Sequence, residues 1–215
     1  MFGDVAMPST EHSAAILVGV WPSQSVTAWS GFSTALEEAK RRLLTVRDTQ
    51  QDIRDILRPM SGAFIDAALV LEAACSTSLD NRLECYQHVA KQALSAANEL
   101  HATKADQVET VKAAEEQIAE ARQSATAAKA ANPVAAPQIQ AQLEATEQAI
   151  VTAARATAQA RDAEGAGKVG AYVAAIAGWK PPHTMPGAGG APGAPAAPHA
   201  PQPAPPAPHG GGART

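Results

Sequence analysis

The residues that could do chemistry come first. Gly165-Ala166-Gly167-Lys168-Val169-Gly170 carries the letters of a dinucleotide-binding loop. Such a loop works when a strand precedes it, so that backbone amides at the following helix start meet a pyrophosphate. Here the preceding residues read as helix, and no strand-helix-strand unit can be drawn along the chain. The segment is therefore expected to be a helix break or hinge. Glu84, Cys85 and His88 lie at spacings that place three metal-ligating side chains on one helix face. No second cluster completes a ligand set: His101 lies thirteen residues beyond His88, and His183, His199 and His209 are widely separated. Solvated or hydrogen-bonded histidines are expected, with no metal and no cofactor. Ser, His, Asp and Cys all occur, but no strand-turn-helix or glycine-rich context presents a nucleophile to a base. Most carboxylates stand at helical spacings from Lys or Arg, the pattern of a solvated helix face. The chain is read as non-enzymatic.

Cys75 and Cys85 are ten residues apart. On one unbroken helix that is about 15 Å along the axis, too far to bridge. A turn near Ser76–Asn81 would make a disulfide available; free thiols are the alternative. The spacings Pro192–Pro195 and Pro195–Pro198 match P-x-x-P. The nearest basic residue is the distant Arg214, which favours a spacer over a ligand for proline-reading domains.

Hydrophobic residues make up 46% of the 215, but aromatics only 4%. Alanine-rich, aromatic-poor composition with abundant Glu, Gln, Lys and Arg points to long, closely packed helices. A net charge of −4 argues against electrostatic nucleic-acid binding. The apolar stretch Ala14–Val20 is too short to span a bilayer and follows acidic residues, so neither a transmembrane segment nor a general secretory signal is read.

The periodicity gives the elements. Residues 1–22 are weakly patterned. From Ser23, Trp29, Phe32, Leu36, Ala39, Leu43, Val46, Ile53 and Leu57 step by three and four, with Gln50 in the one polar slot. This is a heptad seam that has to be buried against something. Arg58-Pro59 ends the first helix, about 23–57, and Met60-Ser61-Gly62 reads as a turn. A second helix, 63–78, carries Phe64, Ala67, Leu71 and Ala74 on one face and is expected to break at Ser76–Ser78. A third, 79–131, carries Leu79, Leu83, Tyr86, Val89, Ala93, Ala97 and Leu100, then Val108, Val111 and Ile118. Asn132-Pro133 breaks it. A fourth, 137–163, carries Ile139, Leu143, Thr146, Ile150, Ala153, Thr157 and Ala160 and folds back on the third as a hairpin. Residues 164–178 form a short helix or hinge. Residues 179–215, with 11 of the 16 prolines, are expected to be a disordered arm. The fold class is all-α: an elongated bundle of long antiparallel helices with a Pro/Gly/Ala-rich tail.

Residues 22–105 resemble the type VII secretion substrates of actinobacteria, helical hairpins with a W-x-G turn, and their longer PPE relatives. Trp29-Ser30-Gly31 is a literal W-x-G, but its register with the seam places it inside the first helix. Met60-Ser61-Gly62 stands where the turn is expected, with Met60 in the tryptophan's place. Residues 60–68 look like the start of that family's second helix. The family's export signal, a tyrosine with an acidic residue four positions on, is missing: Ala90 follows Tyr86 and Ile176 follows Tyr172. The resemblance implies a secreted or surface protein, exported without the general secretory route and acting through a helical partner or a second copy of itself. The alternative is a cytoplasmic coiled-coil adaptor using residues 79–163 as its binding rod and the tail as tether.

Overall fold

A computed structural model of the chain describes residues 3–184. These form helices α1 (Ser13–Leu17), α2 (Val26–Leu57), α3 (Ala63–Ala131) and α4 (Ala136–Ala177), with a 3-10 turn at Pro133–Ala135 before α4. Among the described residues there is no strand, and no helix is long and apolar enough to cross a membrane.

The organising element is α3, 69 residues in one helix, about 100 Å at 1.5 Å per residue. Both α2 and α4 pack on it and not on each other. Each runs antiparallel to α3. Ser33 meets Ala90, while Gln50 and Arg54 meet Glu72. Likewise Arg122 meets Glu147, Gln107 meets Ala158, and His88 meets Ala175. Thus α2 covers the first half of α3, α4 covers the rest, and the two overlap near residues 83–100.

Two expected breaks are absent. α3 continues through Ser76-Thr77-Ser78, contrary to the separate helices 63–78 and 79–131. No Gly or Pro occurs between residues 63 and 131. The propensity cost of Ser, Thr, Asp and Asn is a few tenths of a kcal/mol each, and packing offsets it. Residues 76–81 are half-buried, Thr77 donates to Ala73 O, and Asp80 faces Arg47. Continuity also removes the turn that a Cys75–Cys85 disulfide required, and both thiols are free. α4 likewise runs unbroken through Gly165, Gly167 and Gly170, so the hinge expected within 164–178 is not there. At Gly165 a reason is visible: an added Cβ would run into the buried Thr103 side chain of α3, so a larger residue would require Thr103 to shift.

The largest correction concerns residues 1–22. From residue 3 they form a strap across α3 and α4, and Ile16 and Leu17, both 0% exposed, are among the most buried large side chains described. With Val20 they meet Val111 and Ala114 of α3 and Ala154 and Ala158 of α4. A second cluster joins Val26 to Ala96, Ala97, Leu100 and Val169, with Trp29 and Tyr172 against it.

Polar contacts pin the strap. Glu115 accepts from His12 N at 2.9 Å and meets the ring Nδ1 at 3.1 Å. Arg122 joins Glu11 to Glu147. Asp4 caps α2, accepting from Val26 N and from the Ser25 hydroxyl, each at 2.7 Å. The Ser25 hydroxyl contact, aided by Val26 N–H and Lys104, holds the Asp4 carboxyl at about 2, below its ordinary 3.8. Because the folded value is the lower one, this stabilisation is whole above pH about 4 and lost as pH falls through about 2. Tryptophan fluorescence during acid titration should show the strap loosening in that window, with Asp4→Asn flattening the dependence. An unchanged acid profile in the variant would mean the cap contributes nothing.

The tail expected to begin at residue 179 starts as an ordered segment. His183 exchanges hydrogen bonds with Asn81 through its backbone N and O, and its ring meets Glu84 at 3.0 Å. Residues 185–215, with the P-x-x-P spacings, His199 and His209, lie outside the described residues.

Candidate functional site

The hydrophobic core is confined to one part of the molecule. Its α3 members run from Leu83 to Ala125. In the outer hairpin, from Thr34 of α2 around the turn to Arg82 of α3, the one buried residue is Glu72. Apolar side chains there stand in the open: Val46 is 51% exposed, Ile53 49%, Ile56 62%, Met60 52%, Phe64 82% and Leu71 66%.

The predicted seam is therefore divided. Trp29, Leu36, Leu43 and Leu57 are half-buried, whereas Phe32, Val46 and Ile53 are exposed. The side chains that α2 buries at its start are Val26, Ser30 and Ser33, with the Ser33 hydroxyl donating to Ala90 O at 2.9 Å. The seam is thus rotated partly away from α3, its exposed members standing toward solvent. Trp29-Ser30-Gly31 sits within α2, where Trp29 Nε1 donates to Gln24. Met60-Ser61-Gly62 lies in the connection between α2 and α3, and Gly62 has φ +124°, a backbone conformation suited to glycine.

The rotation opens a groove of about 590 Å³. One wall is Val46, Thr49, Gln50, Ile53 and Leu57 of α2; the other is Ala68, Leu71, Glu72, Cys75 and Leu79 of α3. Because the helices run antiparallel, the Val46 end of one wall stands across from the Leu79 end of the other and the Leu57 end across from Ala68, and the two walls form ridges with a trough between them. Its one formal charge, Glu72, is neutralised by Arg54 at 2.7 Å, and Gln50 Nε2 donates to Glu72 O at 2.8 Å. The polar slot noted at Gln50 is thus used to tie the two walls together.

No family model, curated protein or solved structure matches the chain. The assignment of this surface accordingly rests on its geometry.

Sequence reasoning identified Val46, Ile53, Leu57 and Leu71 but did not join them to Thr49, Ala68, Glu72, Cys75 and Leu79. The break assumed at Ser76 hid the continuity of α3, which puts Leu79 on the same wall as Ala68 and Leu71. Of the chemistry-bearing residues among those described, the structure brings Glu84 and His183 together as a pair. Glu84 holds His183 and His88 holds Ala175 O, and no group of three or more metal-ligating side chains occurs among the described residues.

Proposed function

We propose that this protein is a secretion-associated helical protein that acts by contact, its outer hairpin being completed by a helical partner in the manner of the type VII substrates it resembles. The observation that carries the reading is the hairpin without a core. The α2 segment from Thr34 and the α3 segment up to Arg82, each about six turns long, bury almost nothing, yet present a continuous apolar trough. An amphipathic helix laid in such a groove is an established recognition mode. Contiguous exposed apolar surface rimmed by polar residues commonly marks an interaction site. The residues 79–163 considered as a binding rod offer less. Leu83, Leu100, Val111 and Ile118 are already packed within the protein, so the groove is also the better contact for an adaptor.

Fractionation of the native host with and without its type VII secretion ATPase tests the reading. Appearance of the protein outside the cell in the ATPase-containing strain alone is the expected result. It would direct attention to a partner that carries the export signal. Retention of the protein inside both strains would sink the secretion reading and leave an adaptor that uses the same groove. Redox state has little force in that choice, because Cys75 and Cys85 on one unbroken helix cannot pair with each other.

A further inference from the structure

The groove of the outer hairpin ends beside the chain's own C-terminal segment. α4 lies along α3 with Ala175 O at His88. Beyond α4 the backbone keeps that course. Trp179 and Pro181 border a hollow of about 430 Å³ with Ser78, Cys85 and Tyr86 of α3, and His183 is held by Asn81 and Glu84. From Ala175 to His183 the chain thus advances from residue 88 to residue 81 of α3. The next residues on that course are the groove wall, Leu79, Cys75, Leu71 and Ala68. The hollow and the groove also share a face: Tyr86, Arg82, Leu79, Cys75, Leu71 and Ala68 step back along α3 by three and four, the spacing of one side of a helix.

The sequence after Thr184 suits the groove in length and chemistry. From Ala68 to Leu79 the wall is about 17 Å long at 1.5 Å per residue. About six residues of extended chain cover that distance at roughly 3.1 Å each. Residues 185–192 are Met, Pro, Gly and Ala only, and no Asp, Glu, Lys or Arg occurs between Lys180 and Arg214. The groove's one formal charge, Glu72, is already paired with Arg54, so a neutral occupant strands no charge. Met185, the one large apolar side chain of this stretch, follows His183 by two residues, about 7 Å of extended chain, which brings it within reach of Leu79.

We propose that residues 185–192 occupy the outer-hairpin groove of their own chain and must leave before a partner helix enters, so that the tail regulates the contact surface. The regulatory part rests on the reading of the groove as a partner site. Attachment at His183 keeps the segment at an effective concentration of about millimolar, so that a weak contact suffices to fill the groove for much of the time. A partner's apparent affinity then falls in proportion to the fraction of chains left open.

The test uses the purified full-length chain with a photo-cross-linking residue at position 46, illuminated at low and at high protein concentration. Proteolysis and mass spectrometry identify the attached peptide. An internal cross-link to residues 185–192 is expected, in the same yield at both concentrations. The same residue in place of Asp48, on α2 but outside the groove, should give none. Met185→Asp should cut the yield about fivefold or more, because the apolar wall disfavours a carboxylate. In the native host the same change should raise partner adducts from position 46 by about two- to tenfold, as closed chains open. An internal cross-link without any host adduct would support the seat of the tail and sink the partner reading. A host adduct without the internal cross-link would keep the partner reading and overturn the proposal. Equal internal yields from positions 46 and 48, a yield or host adduct unchanged by Met185→Asp, or a cross-link between two copies that grows with concentration would also overturn it.

Discussion

A photo-cross-linking residue placed at position 46, in the trough, is expected to give one discrete adduct in the native host. The same residue in place of Ala145, on the outward side of α4, should give none. Leu71→Asp, added to the first chain, should remove the adduct while leaving the helical circular dichroism unchanged. The reason is the difference between what Leu71 does now and what it would do in a complex. It is 66% exposed, so a carboxylate there is well hydrated, and changing it moves the stability of the isolated chain by about 0.5 kcal/mol or less. With a helix in the trough the position is desolvated. The lost apolar burial alone is about 2–3 kcal/mol, or roughly 30- to 150-fold in affinity, before the cost of dehydrating the charge is added. Equal adducts from positions 46 and 145, or an adduct that survives Leu71→Asp, would show that the partner reads another surface.

How much of this was legible depended on side-chain size. Long helices followed directly from alanine-rich composition, and the turns at Pro59 and Pro133 from local sterics. Along α3 the large residues Leu83, Leu100, Val111 and Ile118 stood at the spacings expected of a buried stripe, and they are buried. Along α4 the reading slipped. Ala153, Thr157 and Ala160 were placed on the seam, whereas Ala154, Ala158, Gly165 and Val169 face α3. In a helix dense with alanine, a buried methyl and an exposed one carry the same sequence signal, and a step of three chosen in place of four moves the whole face. On α2 the buried positions include Ser30 and Ser33, small polar residues that allow close approach and lie next to the conspicuous stripe of Trp29, Phe32 and Leu36. The apolar seam was legible; that the chain leaves much of it uncovered was not. Registry against α3 is set by contacts between residues far apart in sequence, such as Ser33 with Ala90 and Glu72 with Arg54.

Leu17→Ala is expected to be among the most damaging single truncations, in a segment whose sequence pattern is weak. Leu17 is 0% exposed and packs where the strap, α3 and α4 meet. Truncating a fully buried leucine costs about 2–5 kcal/mol, because the surroundings collapse only partly into the space it leaves. At roughly 2–4 °C per kcal/mol for a chain of this size, the melting temperature should fall by about 4–20 °C. Phe64→Ala removes a larger side chain, but one that is 82% exposed, and it should shift the melt by no more than about 0.5 kcal/mol. The inversion follows from the architecture. The helices around α3 approach one another through alanine, serine and glycine, which contribute little apolar surface. Ile16, Leu17 and Val20 supply the bulky side chains that the α3–α4 seam lacks between Val111 and Ala158. Matched thermal melts of the two variants decide the matter. If Phe64→Ala proved the more damaging, the strap would be a passenger, and the stability of the fold would reside in the outer hairpin.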